Sequence, residues 1–260
     1  MNTQSVAKIN KLMQLQPQGV VLTSKWLGKQ GYSRELLRSY RNSRWLQTIG
    51  NGAMIRCNDL VDYLGAIYSL QQQLGLIVHP AAKTALSLLG KTHYLDLDTK
   101  IVFLFGSKKE RLPTWFQNRK WGVEIRHITT SFLPPEKGLV SKDHKNFTVI
   151  VSSPARAMME CLYLTPQKQD LFECFEIMQG LTNLPPVTTQ DLLESCTSIK
   201  VKRLFLYLSE KSGHAWFNHL DTSRLDLGQG NRSLVPNGVF INKYKMTVPK
   251  EFAGDEYYGL

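Results

Sequence analysis

Apolar and polar positions along this chain shift from helical to strand spacing and back, and the first full cycle falls between Val20 and Arg56. Val20, Val21 and Leu22 form an apolar run that predicts a short buried strand. Thr23 or Ser24 then supplies an N-cap for a helix with Trp26 and Leu27 directed inward, and Gly31 ends it. Ser33 caps a second helix in which Leu36, Leu37 and Tyr40 make the apolar stripe, while Arg34, Arg38 and Arg41 recur at helical spacing on the opposite side. WLQTI and AMIR flank Gly50, Asn51 and Gly52, whose glycines tolerate the positive φ of a hairpin tip. Strand, helix, turn, helix and hairpin in that order predict a winged helix-turn-helix.

Ahead of it, Thr3 or Ser5 begins a helix with Val6, Ile9, Leu12 and Met13 on one face, closed by Pro17 to Gly19. After it, Asn58 or Asp59 is placed to cap a helix from Leu60 to Leu74, with Leu60, Leu64, Ile67 and Leu74 as its stripe. PAAKTALSLLG predicts a further helix with Pro80 in its first turn and Gly90 at its end, and KTHYLDLDTK reads as the entry to a second unit. From Ile101 strands and helices mix: IVFLFG, GVEIRHI and NFTVIVS are predicted strands, with a short helix at Trp115-Phe116 between the first two. Ser153-Pro154 opens the helix ARAMMECLYL, and helices follow near 168–178, 189–196 and 199–209, with Leu184-Pro185-Pro186 as a turn among them. GVFINKYKMTVP is a predicted strand, and GDEYYGL a frayed tail. The predicted fold class is α+β: a winged helix-turn-helix domain over residues 1–92, then a mixed α/β domain over 93–260.

Charge changes this picture. The net of +11 over 260 residues is concentrated at one end, since residues 1–56 hold nine basic side chains against Glu35 alone, a net of +8, while 57–92 are neutral and 93–260 carry +3. A polyanion is the natural partner of the first fifth. A helix ~10–12 Å across fits a major groove ~12 Å wide. Arginine can pair with guanine O6 and N7 there, asparagine with adenine, and Ser33, Ser39, Lys25 and Lys29 can hold phosphates. An arginine-rich helix alone is usually a solvated face; here it coincides with helix-turn-helix spacing, a wing and the charge excess. The candidate DNA-binding set is Lys25, Lys29, Ser33, Arg34, Arg38, Arg41, Asn42, Arg44, Asn51 and Arg56. A palindromic operator is read by a homodimer, or by two monomers on its half-sites.

Cys57, Cys161, Cys174 and Cys196 show no paired or framework-like spacing, which points to reduced thiols and a cytoplasmic setting. The polar first 19 residues and the lack of any apolar run of ~18 residues predict neither secretion nor membrane insertion. The six histidines share no ligand spacing, no phosphate-binding glycine loop occurs, and no partnered nucleophile stands out, so neither cofactor, metal nor catalytic residue is expected. Nearest to a nuclease are Asp96 or Asp98 before IVFLF and Glu124-Ile125-Arg126. Arginine in place of the lysine that steadies an attacking water weakens that match. A winged helix gripping another protein is the third class.

The winged helix, HPAAKTALSLLGKTHYL and VSSPARAMMECLYL together resemble the AbiEi-type antitoxins of bacterial abortive-infection (type IV) toxin–antitoxin systems, over nearly the whole length. The resemblance implies an N-terminal winged helix binding inverted repeats in its own promoter, a C-terminal antitoxin domain, and a nucleotidyltransferase-like toxin as functional partner, opposed without a required stable complex. On this chain it assigns DNA reading to Ser33, Arg34, Arg38, Arg41, Asn42, Arg44 and Asn51. It names no antitoxin residue in the second domain.

Overall fold

The computed structural model describes residues 3–91 and 101–252, with side chains from residue 8 onward. The first-helix cap, Val6, the segment with Asp96 and Asp98, and the tail GDEYYGL therefore lie outside the described residues or side chains. The chain divides into two units, one within Met1–Thr84, Asp96–Thr130 and Leu139–Val151, the other within Ala85–Leu95, Ser131–Gly138 and Ser152–Leu260.

In the first unit, α1 (Thr3–Leu15), β1 (Leu22–Thr23), α2 (Ser24–Lys29), α3 (Arg34–Asn42), β2 (Leu46–Gly50) and β3 (Ala53–Arg56) follow in the order a winged helix requires. The sheet runs β1-β3-β2, antiparallel throughout. Ile9, Leu12, Leu22, Leu27, Tyr32, Leu37, Tyr40, Leu46 and Met54 form its core, each large aliphatic contributing ~1.5–3 kcal/mol on burial. Thr23 is the cap of α2, its hydroxyl accepting from the Trp26 amide. The strand is Leu22–Thr23 where the apolar run predicts Val20–Leu22, and side chains of α4 (Tyr63–Gln72) and of the residue after it bind backbone groups in and just before it. Ser69 and Gln73 donate to the Val21 carbonyl, and Gln73 accepts from the Thr23 amide.

α4 starts three residues later than expected. Asp59 is occupied, accepting the Gly19 amide at 2.8 Å, and Asn58 sits at φ +66, so Asp62 becomes the cap by accepting the Gly65 amide at 3.0 Å. Leu60, placed on the apolar stripe by spacing, is 88% exposed as a result. A Cβ on Gly65 would lie 1.8 Å from the Gly19 carbonyl oxygen, so only glycine permits this approach of helix to turn.

Pro80 also departs from expectation. It belongs to β4 (His79–Pro80), which pairs antiparallel with the central β5 (Ile101–Gly106), and α5 (Ala82–Leu88) begins beyond it. Proline is compatible with an edge strand, having no amide to donate. β5 pairs parallel with β6 (Glu124–Thr129), and α6 (Thr114–Gln117) lies between them in sequence. β8 (Phe147–Ser152) has an unpredicted hairpin partner, β7 (Leu139–His144), joined through Lys145 at φ +51. Strands β5 to β8 lie within the range 93–260 expected as the second domain, and fall almost wholly in the first unit.

The second unit is chiefly helical: α7 (Pro154–Leu164), α8 (Leu171–Gly180), α9 (Pro186–Ser195) and α10 (Ile199–Lys211). α10 carries Val201, Leu204, Phe205, Leu206 and Leu208 with no exposure, a helix enclosed on most of its circumference. GVFINKYKMTVP is two strands instead of one. β10 (Val239–Ile241) and β11 (Met246–Val248) pair antiparallel across a turn completed by Lys245 at φ +47, and β9 (Arg232–Ser233) adds in parallel. Buried Arg203 donates to the carbonyls of Leu227, Gly228, Gly230 and Lys245, holding the loop before this sheet.

SSPARA now has a physical reading. Ser153 caps α7, Pro154 is its first residue, and Arg156 and Ser152 both donate to the fully buried carboxylate of Glu160, at 2.9 and 2.6 Å. Arg156 also donates to the carbonyls of Pro134 and Lys137.

Candidate nucleic-acid interface

Helix α3 is nine residues long and starts where Ser33 accepts the Leu36 amide at 3.2 Å. Leu37 and Tyr40 pin it to the core, and Tyr32 in the preceding turn donates to the Lys8 carbonyl at 3.0 Å, tying the turn to α1. The turn itself depends on Gly31 at φ +82. With one face fixed, Arg34, Arg38, Ser39, Arg41 and Asn42 are exposed along the other. Arg41 also leans inward, one guanidinium nitrogen reaching the Met54 sulfur at 3.6 Å.

Glu35 is the sole acidic side chain in this region and lies in the first turn of α3. Hydrogen bonding with its own backbone amide, then with Ser33, holds its carboxyl below the usual range. A carboxylate at that end favours the helix dipole, so its charge serves the cap.

At the far end the helix closes with a residue that the sequence marks only as a cation. Arg44 occupies the left-handed position at φ +56; its amide donates to Arg41 and the Trp45 amide to Tyr40, the paired bonds of a Schellman motif. Glycine is the usual occupant. Arg44 is exposed, and Trp45 beside it is 43% exposed.

The wing is short and braced. Its strands pair from Leu46↔Arg56 to Gly50↔Ala53 with a bulge between Thr48 and Gly50. The Gly52 carbonyl accepts the Ser24 amide at 2.8 Å, which ties the tip to the start of α2. A Cβ on Gly50 would lie 2.7 Å from Trp115 Cβ, so the strand rests on α6. Asn51, Gln47 and Thr48 are exposed. Gln47 and Thr48 were not among the expected contacts, although their place in the alternating run WLQTI was the available signal.

Of the expected set, Lys25, Lys29, Ser33, Arg34, Arg38, Arg41, Asn42, Arg44 and Asn51 are all exposed on α2, α3, its exit and the wing. Arg56 is the correction. It is 8% exposed and donates to the carbonyls of Met13 and Gln16 at the end of α1, which carry no helical partner there. Burial lowers its pKa, with Asp59 opposing, yet a guanidinium remains charged. It is a clamp between wing and first helix.

Of the nuclease candidates, Glu124 is exposed and pairs with Arg126 at 2.7 Å. Among the described residues no three acidic, histidine or cysteine side chains gather as a metal site, and no helix is long and apolar enough to cross a membrane.

Comparison with known families gives two matches. A model described as "Transcriptional regulator, AbiEi antitoxin N-terminal domain" matches residues 5–97, and one described as "Transcriptional regulator, AbiEi antitoxin, Type IV TA system" matches residues 99–249. Among solved structures, the RV2827C protein from Mycobacterium tuberculosis is similar in fold, with a TM-score of 0.58 at 15% identity over 95% of this chain and 91% of that one. No curated protein matches.

Proposed function

The chain belongs to the AbiEi antitoxin family of type IV toxin–antitoxin transcriptional regulators, and from that premise we propose that it represses its own promoter and opposes a nucleotidyltransferase-like toxin in the cytoplasm. Residues 1–92 supply the DNA reading, with α3 in the major groove over inverted repeats, as a homodimer or as paired monomers. Residues 93–260 carry the antitoxin activity, without a stable complex with the toxin being required.

One observation carries the DNA reading: the ridge Arg34, Arg38, Arg41 stays exposed while the opposite face of the same helix is anchored by Leu37 and Tyr40. An anchored helix with a free basic face has the shape and charge that groove entry needs. Lys25 and Lys29 on α2 and Asn51 on the wing tip are exposed too, where phosphate contacts would fix the register.

The test uses the full chain and the DNA upstream of its own gene. Affinity should fall steeply with salt as bound counterions are released. Replacing Arg38 and Arg41 together by alanine should cost about 1–3 kcal/mol for each bidentate base contact and relax preference at the base pairs they read. Undiminished operator binding by that double variant, with its fold intact by circular dichroism, refutes the placement of α3 in the groove.

A further inference from the structure

The first unit has a second basic segment beside the wing. From Ser107 to Trp121 the sequence carries Lys108, Lys109, Arg111, Arg119 and Lys120 against Glu110 alone, a net of +4. Residues 93–260 as a whole carry +3, so the remainder of that stretch is close to neutral and this one segment holds its excess. The segment lies beyond the N-terminal family domain, which matches residues 5–97.

Its position is fixed by α6. Trp115 and Phe116 are buried, and Trp115 packs so closely on Gly50 that a methyl group there would strike it. Gly50 is the residue before the wing-tip Asn51. The one acid in the segment is turned to structural use, since the Glu110 carboxylate accepts the amides of Ile77 at 2.7 Å and Ser107 at 3.4 Å. Arg119 lies over the Trp121 ring at 5.3 Å, and Trp121 donates to the Phe116 carbonyl, so the far end of the segment is also held. Lys108, Lys109, Arg111 and Lys120 are exposed, and no ion pair involves them among the described residues.

We propose that the DNA-contacting surface continues from the wing tip onto residues 107–120, where Lys108, Lys109, Arg111 and Lys120 hold backbone phosphates flanking the site that α3 reads. Flexible cations outside the recognition helix supply affinity without sequence preference, because phosphates are the same at every base pair. This rests on the DNA-binding reading above. It differs in placing part of the affinity outside the N-terminal family domain.

The test compares three full-length proteins: unaltered, Lys108→Ala/Lys109→Ala/Arg111→Ala/Lys120→Ala, and Arg38→Ala/Arg41→Ala. Each is titrated with the upstream duplex and with a shuffled duplex of equal length at several salt concentrations. The segment variant should lose roughly 0.9 from the slope of log K against log salt for every phosphate released, about 2 to 4 in all, and weaken on both duplexes by similar factors. All four side chains are exposed, so its melting temperature should not move. An unchanged slope and affinity for that variant, while the helix variant loses operator preference, overturns this proposal and leaves the helix reading standing. Weakening of the segment variant alone, with the helix variant unaffected, supports the segment and removes α3 from the groove. If neither duplex binds any of the three, both fall.

Discussion

Arg44 places folding and DNA binding in opposition, and replacing it by glycine separates them. A non-glycine residue in the left-handed region costs roughly 1–2 kcal/mol, and Arg44 sits there at φ +56 because the exit of α3 closes as a Schellman motif. Glycine removes that cost but gains ~0.5–1 kcal/mol of extra chain freedom in the unfolded state. The net expectation is stabilisation of about 0.5–1 kcal/mol, a rise in Tm of roughly 1–4 °C for a domain of this size. Arg44→Ala keeps the strain and should gain nothing. Both variants lose one exposed cation at the end of the proposed recognition helix, so both should show a salt slope shallower by about 0.9 if Arg44 holds one phosphate. Thermal unfolding by circular dichroism and DNA titration across salt read the two effects independently. If Arg44→Gly melts no higher than Arg44→Ala, the strain argument fails. If affinity and slope are untouched in both, Arg44 makes no DNA contact, and the left-handed arginine has no role in binding.

Three further outcomes follow from the same geometry. Gly50→Ala drives a methyl into Trp115 Cβ and Cα at 2.7 and 3.0 Å and should destabilise by about 1–3 kcal/mol, whereas Gly28→Ala in α2, with no atom within 4 Å, should stabilise by about 0.5–1 kcal/mol in the same melting assay. Arg56→Met leaves the Met13 and Gln16 carbonyls without their donor; a loss of about 2–4 kcal/mol in denaturant titration, with the DNA salt slope unaltered at temperatures where the protein is folded, separates this clamp from the exposed arginines. Burial raises the Asp62 carboxyl, but hydrogen bonds from Lys145, the Gly65 amide and His144 outweigh it, so its folded pKa lies below the ordinary 3.8. Its contribution is present above that ordinary value and lost as pH falls through the lowered one. Asp62→Asn keeps the cap and should flatten the acid side of a Tm–pH profile, and an equally steep acid limb would count against the assignment.

What the sequence makes legible here depends on whether the deciding interaction is local. The caps at Thr23, Ser33 and Ser153 are made by residues within three positions of their partners; spacing finds the last two and narrows the first to Thr23 or Ser24. The start of α4 is misplaced because Asp59 is drawn to Gly19, 40 residues away, and spacing cannot register that competition. β7 is missed for a related reason. LVSKDH is half exposed and weakly apolar, and it is a strand only because β8 lies beside it.

The arginines extend this point from fold to site. Arg34 and Arg38 stand on a helix whose apolar positions occupy one face, and both are exposed; Arg56, Arg156 and Arg203 sit in AMIR, ARAMME and RLFLYL, on elements in which nearly every residue around them is buried, and all three are buried. In β3 all four successive residues are buried, so the strand has no solvent face on which Arg56 could lie. A guanidinium carries five donors and cannot be neutralised, so burial requires oxygen atoms that helices and sheets have left unpaired. Arg56 finds them at the end of α1, Arg156 at Glu160 and the carbonyls of Pro134 and Lys137, and Arg203 in the loop from Leu227 to Gly230. The useful question for an arginine in such a chain is therefore whether its own element offers a polar face. Where it does, the charge is available to a polyanion; where it does not, the side chain is spent on holding irregular backbone in place.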